Sequence, residues 1–506
     1  MALSMNYRNK ITVDRLRPSS VSDTRDLVEE TESNRGRIIQ SSAIRRLQQK
    51  TQVYPLETNA AVRSRLTHSL EVQQTGRFIA RRILAEFRER KQLHALGLAD
   101  IETAFINLVE MSCLMHDVGN PPFGHFGETA INDWMTRHGR DCYQKASSKT
   151  ETSTLFEKTL WPDICRFEGN AQGVRIITTL QELNLTCSQI AALIKYPRPA
   201  YRNKDENGSG HDYFNRKPGY YYAEESLIQR IWECLGMADG HRYPLAYIME
   251  AADDISYCIA DLEDAVDKGI LTLDTLGHFL KKEWKARCHG QNRYLIEVID
   301  YAMKKTDVIA DGRAADVTDH ARTADITAYK FFILFRTRLV NDLAKYAAHR
   351  YVECHEQIYA GNLNEPLIDG NSEQHLALET LRQVACKHVF SHKEVETPEL
   401  RGYSALKGLL DIYRPLLEIS CEDMAAMVRE EHNGSCFISR RLFRRLPKRH
   451  VAAYKRCITE RADSSITAPR ERRELEWYYR IRLLIDYLSG MTDDFVLREF
   501  QCLSAI

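Results

Sequence analysis

No stretch constrains the fold of this chain more than TAFINLVEMSCLMHDV, residues 103–118. Phe105, Leu108, Val109, Ser112 and Met115 fall along one stripe at helical spacing, and Gly119-Asn120-Pro121-Pro122 then stops the helix. His116 and Asp117 therefore sit on its final turn. His125 and Glu128 follow directly after the break, which crowds four protonatable side chains around one turn. The other long segments repeat the 3.6-residue spacing, while period-two alternation is almost absent, so the expected fold class is all-α.

Two more helices matter for chemistry. PLAYIMEAADDISYCIADLEDAVDK begins at Pro244, which suits a first-turn position, and is followed by Gly269, which suits a C-terminal cap. Asp253, Tyr257 and Asp261 lie within it at i, i+4 and i+8, on one helical face. RLTHSLEVQQTGRFIARRILAEF (65–87) forms a third helix with His68 near its start. Polar, turn-rich stretches at 138–153, 201–220, 309–324 and 360–375 read as loops or insertions, and no internal repeat forces a domain cut.

Charge balance removes any global argument for a polyanionic partner, since Lys plus Arg and Asp plus Glu each number 70; such a partner needs a local patch. Thirteen cysteines stand singly with no CxxC pair, so they fit reduced helical positions better than a disulfide framework or a zinc ribbon. Cys288-His289, Cys354-His355 and Cys386 with His388 lack a second ligand pair and read as ordinary helical residues. The N-terminal residues carry charges throughout, and no segment approaches 18 uninterrupted apolar residues. The expected location is the cytoplasm, with no membrane partner.

A hard divalent cation such as Mg²⁺ or Mn²⁺ takes oxygen and imidazole ligands and keeps positions open for water and phosphate oxygens. His68, His116, Asp117 and Asp253 supply two imidazoles and two carboxylates from three predicted helices, an arrangement that suits a metal site inside a bundle. Adjacent residues on an ideal helix differ by about 100° in direction, so His116 and Asp117 both reach one ion only where the backbone opens at a helix end. The GNPP break provides that end.

His, then His-Asp, then Asp is the order of the HD phosphohydrolase superfamily, which the chain resembles. The segments RGRIIQSSAIRRLQQKTQVYP (35–55), RLTHSLEV (65–72), MHDVGNPPFGHFGE (115–128), FEGNAQ (167–172), IKYP (194–197), KPGYY (217–221) and EAADDISYCIADLEDAV (250–266) are similar to the bacterial dGTP triphosphohydrolases. The resemblance implies water attack at the α-phosphorus of a deoxynucleoside triphosphate, most simply dGTP, to give deoxynucleoside and inorganic tripolyphosphate. It assigns the metal to His68, His116, Asp117 and Asp253, and an acid/base pair to His125 and Glu128. A helix N-terminus also suits a carboxylate, so Glu128 equally fits a capping role.

The resemblance further implies phosphate contacts from Asn170, Lys195, Tyr196 and Lys217. It places Tyr257 against C2′ of the sugar, with Asp261 and Gln52 at the 3′-hydroxyl. It also implies a homo-oligomer, a hexamer in that family. Beyond residue 270, Glu399 is a candidate for the base edge, and Arg441 for the pocket or a neighbouring subunit. The basic cluster ISRRLFRRL (438–446), with Phe443, is the local candidate for single-stranded DNA, because strand binding needs positive charge with stacking aromatics. The expected organisation is an N-terminal segment (1–34), a metal phosphohydrolase core (35–270) with insertions near 138–153 and 201–220, and a C-terminal helical region (271–506) that completes the pocket and the oligomer. The competing readings are an HD phosphodiesterase or nucleotidase acting on another phosphate ester, and a non-catalytic scaffold that binds nucleotide or single-stranded DNA.

Overall fold

The computed structural model describes residues 5–19, 25–148, 151–204, 213–288, 292–311, 320–370, 372–431, 436–462 and 468–505. Among these there is no β-strand, only three isolated bridges, so the all-α expectation holds. No described helix is long and apolar enough to cross a membrane. The helices that position the site are α1 (Leu27–Ile39), α2 (Arg65–Glu89), α3 (Glu102–Met115), α4 (Gly124–Ser147), α5 (Gly169–Arg175), α6 (Cys187–Leu193), α7 (Pro244–Asp267), α8 (His320–Glu353), α9 (Glu373–Ala385), α10 (Lys393–Glu418), α11 (Pro469–Ser489) and α12 (Asp493–Ser504).

α2 starts at a reciprocal cap, in which Ser64 accepts from the Thr67 amide and Thr67 accepts from the Ser64 amide. α7 opens on Pro244, and Gly269 follows its end with φ +72°, as the sequence punctuation predicts. α3 differs in one detail. Its last helical residue is Met115, so His116 is the cap and Asp117 already lies in the turn, rather than both completing the helix.

Two apolar cores divide the molecule. The first joins α2, α3, α7, α8 and α9 around Val72, Leu108, Ile255, Phe331 and Leu381, and it crosses the expected boundary near residue 270. The second joins α4, α10 and α11 around Trp134, Leu406 and Tyr478. α2 packs on α3, α7 and α8, while α4 packs on α10 and α10 on α12. The turn at residues 119–122 runs from Val118 in the first core to Phe123 in the second.

Two predicted loops are in part helical. Residues 138–147 continue α4, because Trp134, Met135, Gly139, Cys142 and Tyr143 bury a narrow stripe beneath a polar outer face. Helix also covers 309–311 and 320–324, and the residues between them lie outside the described set. The described parts of 201–220 and most of 360–375 are irregular, as expected. Of the Cys/His pairs, His388 stacks on Phe279 with centroids 3.8 Å apart and His355 Nδ1 faces the Val352 carbonyl at 2.8 Å. His289 lies outside the described residues.

Candidate active site

Packing of α2, α3 and α7 brings His68, His116 and Asp253 together, with one ligand atom from each within 4.8 Å of the others. His68 Nε2 and His116 Nε2 lie 3.4 and 3.3 Å from Asp253 Oδ1. His116 Nδ1 is 2.7 Å from the Cys113 carbonyl. A carbonyl only accepts, so Nδ1 carries the proton of the neutral ring and the Nε2 lone pair faces the cluster. His68 is fully buried, and its Nδ1 has no hydrogen-bond partner among the described residues.

The electrostatics favour positive charge at this point. Burial works against an imidazolium, but the Asp117 and Asp253 carboxylates push His116 up to about 9. Asp253, also opposed by burial, is held well below the usual carboxylate range by His116, His68 and Lys195. Two imidazoles and a strongly acidic carboxylate, one of them with an unpartnered ring nitrogen, form a donor set that fits a divalent cation.

Asp117 adjoins this group. Its Oδ2 accepts from Arg65 Nη1 at 2.9 Å, its Oδ1 accepts from Asn120 Nδ2, and that oxygen lies 3.5 Å from His116 Nε2. Arg65 stands one helical turn before His68. Its place at i−3 on the same face was the available signal, and sequence reasoning missed it.

The second half of the turn belongs to α4. His125 Nδ1 and Glu128 Oε2 are 2.8 Å apart, and Glu128 Oε1 accepts the Gly169 amide at 2.8 Å. Glu128 therefore bridges to α5 instead of capping its own helix. The bond to Glu128 raises His125 above the ordinary imidazole range against burial, Lys217 and Arg65. Burial pushes Glu128 up, but His125 and Lys217 bring it below its ordinary value. With Nδ1 committed, the other ring nitrogen of His125 remains for the cavity that this residue lines.

Two close approaches and a strained residue set this turn. A Cβ on Gly119 would lie 1.9 Å from the Gly169 carbonyl, so only glycine lets GNPP lie against α5. Phe123 precedes α4 in the left-handed region at φ +61°, where a bulky residue is disfavoured. Its amide is taken by Asp493 Oδ1 at 3.0 Å, and its ring rests where a Cβ on Gly402 would stand, 2.2 Å from Cγ. α5 itself is tied down by Arg175, which donates to Glu224 at 2.7 Å and to Asp486 of α11 at 2.8 Å, all three buried.

A cavity of about 880 Å³ opens over both halves. Gln52, Asn170, Lys195, Tyr196, Lys217, Tyr257, Asp261 and Glu399 all line it, together with His116, Asp117, His125 and Asp253. Lys195 Nζ is 3.6 Å from Asp253 Oδ2 and 3.7 Å from Glu250 Oε1, so it flanks the metal donors. Lys217 and Asn170 both meet Glu168 Oε1, at 3.2 and 2.7 Å; that carboxyl is raised by burial and by Glu128. Tyr196 accepts from Arg216 at 2.8 Å.

Asp261 is buried with Oδ1 unpartnered, and burial and Asp264 raise its carboxyl well above normal, whereas Asp264 pairs with Arg63. Gln52 Oε1 faces Arg65 at 3.4 Å. Glu399 is pushed up to about 7 by burial and Glu396. Arg441 does not reach the cavity; its guanidinium lies 4.5 Å over the Phe437 ring on helix Phe437–Arg445. Glu168, Arg216 and Arg382 also line the cavity, and sequence reasoning passed over all three.

A helical body with histidine and aspartate donors at the end of α3 defines an HD-domain metal protein, and the HD domain family matches residues 65–166. The similarity extends much further than that motif. The chain is 43% identical over 521 aligned positions, covering 99% of both chains, to the deoxyguanosinetriphosphate triphosphohydrolase of Salmonella typhimurium. It belongs to the deoxyguanosinetriphosphate triphosphohydrolase family.

Proposed function

We propose that this chain hydrolyses dGTP to deoxyguanosine and inorganic tripolyphosphate, with Mg²⁺ or Mn²⁺ held by His68, His116 and Asp253 and with Asp117 completing the shell. The observation that carries the reading is the convergence of His116, Asp117, His125 and the Asp253–Tyr257–Asp261 stripe on one cavity, with His68 buried beside Asp253 and Glu128 holding His125 from behind. The relative's name accords with it.

A bound divalent cation supplies charge neutralisation on the phosphoryl oxygens and acidifies water. The chain's own groups do the rest. Lys195, Lys217, Tyr196 and Asn170 hold the triphosphate so that its α-phosphorus faces the donor cluster. Water oxygen bonds to that phosphorus as the bond to the sugar O5′ breaks, and the departing oxygen needs a proton. His125, raised by Glu128, is protonated further into the neutral range than an ordinary histidine and suits that donation. Asp261, with a buried free oxygen, and Gln52 suit the 3′-hydroxyl, while the Tyr257 ring occupies the space beside C2′. Glu399 suits the guanine edge, where a carboxyl accepts from the ring and exocyclic N–H groups.

The family relationship supports a homo-oligomer, which we take as a hexamer. Helix Phe437–Arg445 packs Phe443, the aromatic expected to stack, against the second core and exposes Phe437 and Ile438 beside Arg441 and Arg444 instead, and we assign that face to single-stranded DNA acting as an effector.

The test is product analysis. With Mg²⁺ or Mn²⁺ and dGTP, deoxyguanosine and tripolyphosphate appear in equal amounts; release of dGMP with pyrophosphate refutes the mechanism. A panel of dNTPs, GTP and cyclic nucleotides, with and without single-stranded DNA, fixes the substrate class and the effector.

A further inference from the structure

Tyr257 is tied to a residue outside its own helix. Arg382 of α9 donates from Nε to Tyr257 Oη at 2.6 Å, and its guanidinium lies 5.7 Å from the centre of the tyrosine ring. The other two edges of the guanidinium are also engaged. Nη1 donates to Glu379 Oε1 at 2.7 Å, one turn earlier on α9, and Nη2 faces Asp254 Oδ1 at 3.9 Å, one turn before Tyr257 on α7. A planar fork with its three edges directed at three partners has one orientation, unlike a lysine ammonium. All four residues line the cavity.

The consequence concerns how a ring excludes one hydroxyl. A pocket wall that yields rejects an analogue bearing one extra hydroxyl by only about 100-fold, because the wall can move aside. Tyrosine turns about two side-chain torsions, so fixing its distal oxygen removes the motion by which it would make room.

We propose that Arg382 is a positioning residue for substrate selection: anchored by Glu379 and Asp254, it holds Tyr257 Oη so that the ring stands rigid beside the sugar and excludes ribonucleotides. This rests on the triphosphohydrolase reading above. It adds a brace that spans α7 and α9 and touches the substrate only through the tyrosine.

The test compares kcat/KM for dGTP with that for GTP in the full-length protein, for Arg382→Met, Tyr257→Phe, Glu379→Gln and the Arg382→Met/Tyr257→Phe double variant. Tyr257→Phe keeps the ring and removes only the oxygen that Arg382 holds. Arg382→Met and Tyr257→Phe are each expected to lower the dGTP:GTP ratio about tenfold, with no further fall in the double variant, since each breaks the same bond. Glu379→Gln lowers it less, in the same direction, and provides the reading if Arg382→Met fails to fold.

An arginine that contacts the nucleotide directly would instead raise KM for dGTP and GTP alike at constant ratio, and Tyr257→Phe would keep the parental ratio. Either result, or additive effects in the double variant, overturns the brace. A parent protein that hydrolyses dGTP without preference over GTP also overturns it. Failure of the parent to release tripolyphosphate from dGTP refutes the reading on which it rests instead.

Discussion

Asp493, at the start of α12, holds two active-site segments from the far end of the chain. Its Oδ1 accepts the Phe123 amide at 3.0 Å, and its Oδ2 accepts both the amide and the hydroxyl of Thr51, at 3.1 and 2.6 Å. The residue is buried. Asp493→Asn changes almost no volume, yet an amide has one acceptor oxygen where the carboxylate has two. Whichever way it turns, its NH₂ faces an N–H, buried at Phe123 and partly buried at Thr51. The substitution therefore loses at least one charge-assisted bond and strands a donor, together about 2–4 kcal/mol.

At an unfolding entropy of about 2.1 cal/mol/K per residue, a chain of 506 residues should melt roughly 2–4 °C lower. Losing the Phe123 anchor also frees a left-handed residue, whose strain is of order 1–2 kcal/mol, to relax and carry His125 with it. Turnover should fall more than about tenfold, while Mn²⁺ binding at the separate histidine cluster stays near parental. Scanning calorimetry, tripolyphosphate release and equilibrium dialysis read the three quantities. Thr51→Ala, which removes only the hydroxyl bond, serves as the milder control at about 1 kcal/mol. A D493N protein that melts within about 0.5 °C of the parent and turns over at the parental rate would refute the reasoning.

The remaining expectations are simpler. His116→Ala removes a ligand from the centre of the donor cluster and should cost on the order of 10³-fold in turnover together with Mn²⁺ binding, measured by dialysis; retained turnover excludes the metal assignment. For the proton donor the sign is fixed by direction. In the proposed mechanism protonated His125 is the active form, so activity is lost as pH rises through its raised value, and Glu128→Gln, which removes the group that raises it, should move that alkaline limb of kcat/KM to lower pH. An unmoved limb means that His125 is not the donor.

Periodicity and punctuation made α2, α3 and α7 legible, and with them His68, His116 and Asp253, because each donor sits at a helix start, a helix end or on an apolar helix with marked termini. The misread parts have physical causes. HGRDCYQKAS looks like a loop because its helix buries only Gly139, Cys142 and Tyr143, a stripe too narrow to outweigh the polar face. Asp117 is reached from the sequence through the helix break and the resemblance, whereas its contacts are not: two residues past Met115, its carboxylate meets Arg65, 52 residues away, and Asn120. Arg382, in LRQVACKH, carries no local signal, since its partner Tyr257 is 125 residues away.

The same limit explains why the His125–Glu128 half of MHDVGNPPFGHFGE is harder to read than the His116 half. His116 is placed by contacts within the matched HD segment, residues 65–166, with α7 added. His125 is placed by residues the motif does not contain. Lys50 Nζ donates to the carbonyls of Asn120 and Ser489 at 2.6 and 2.9 Å, Asp493 holds Phe123, and Gly402 makes room for the Phe123 ring. Glu128 in turn leans on α5, which Asp486 fixes through Arg175. A chain with the HD motif, α7 and a different C-terminal third would keep the His68–His116–Asp253 cluster and lose the contacts that hold His125. The matched segment and α7 therefore account for the donor cluster, and in the proposed mechanism the specific reaction depends on how the second core closes over the turn.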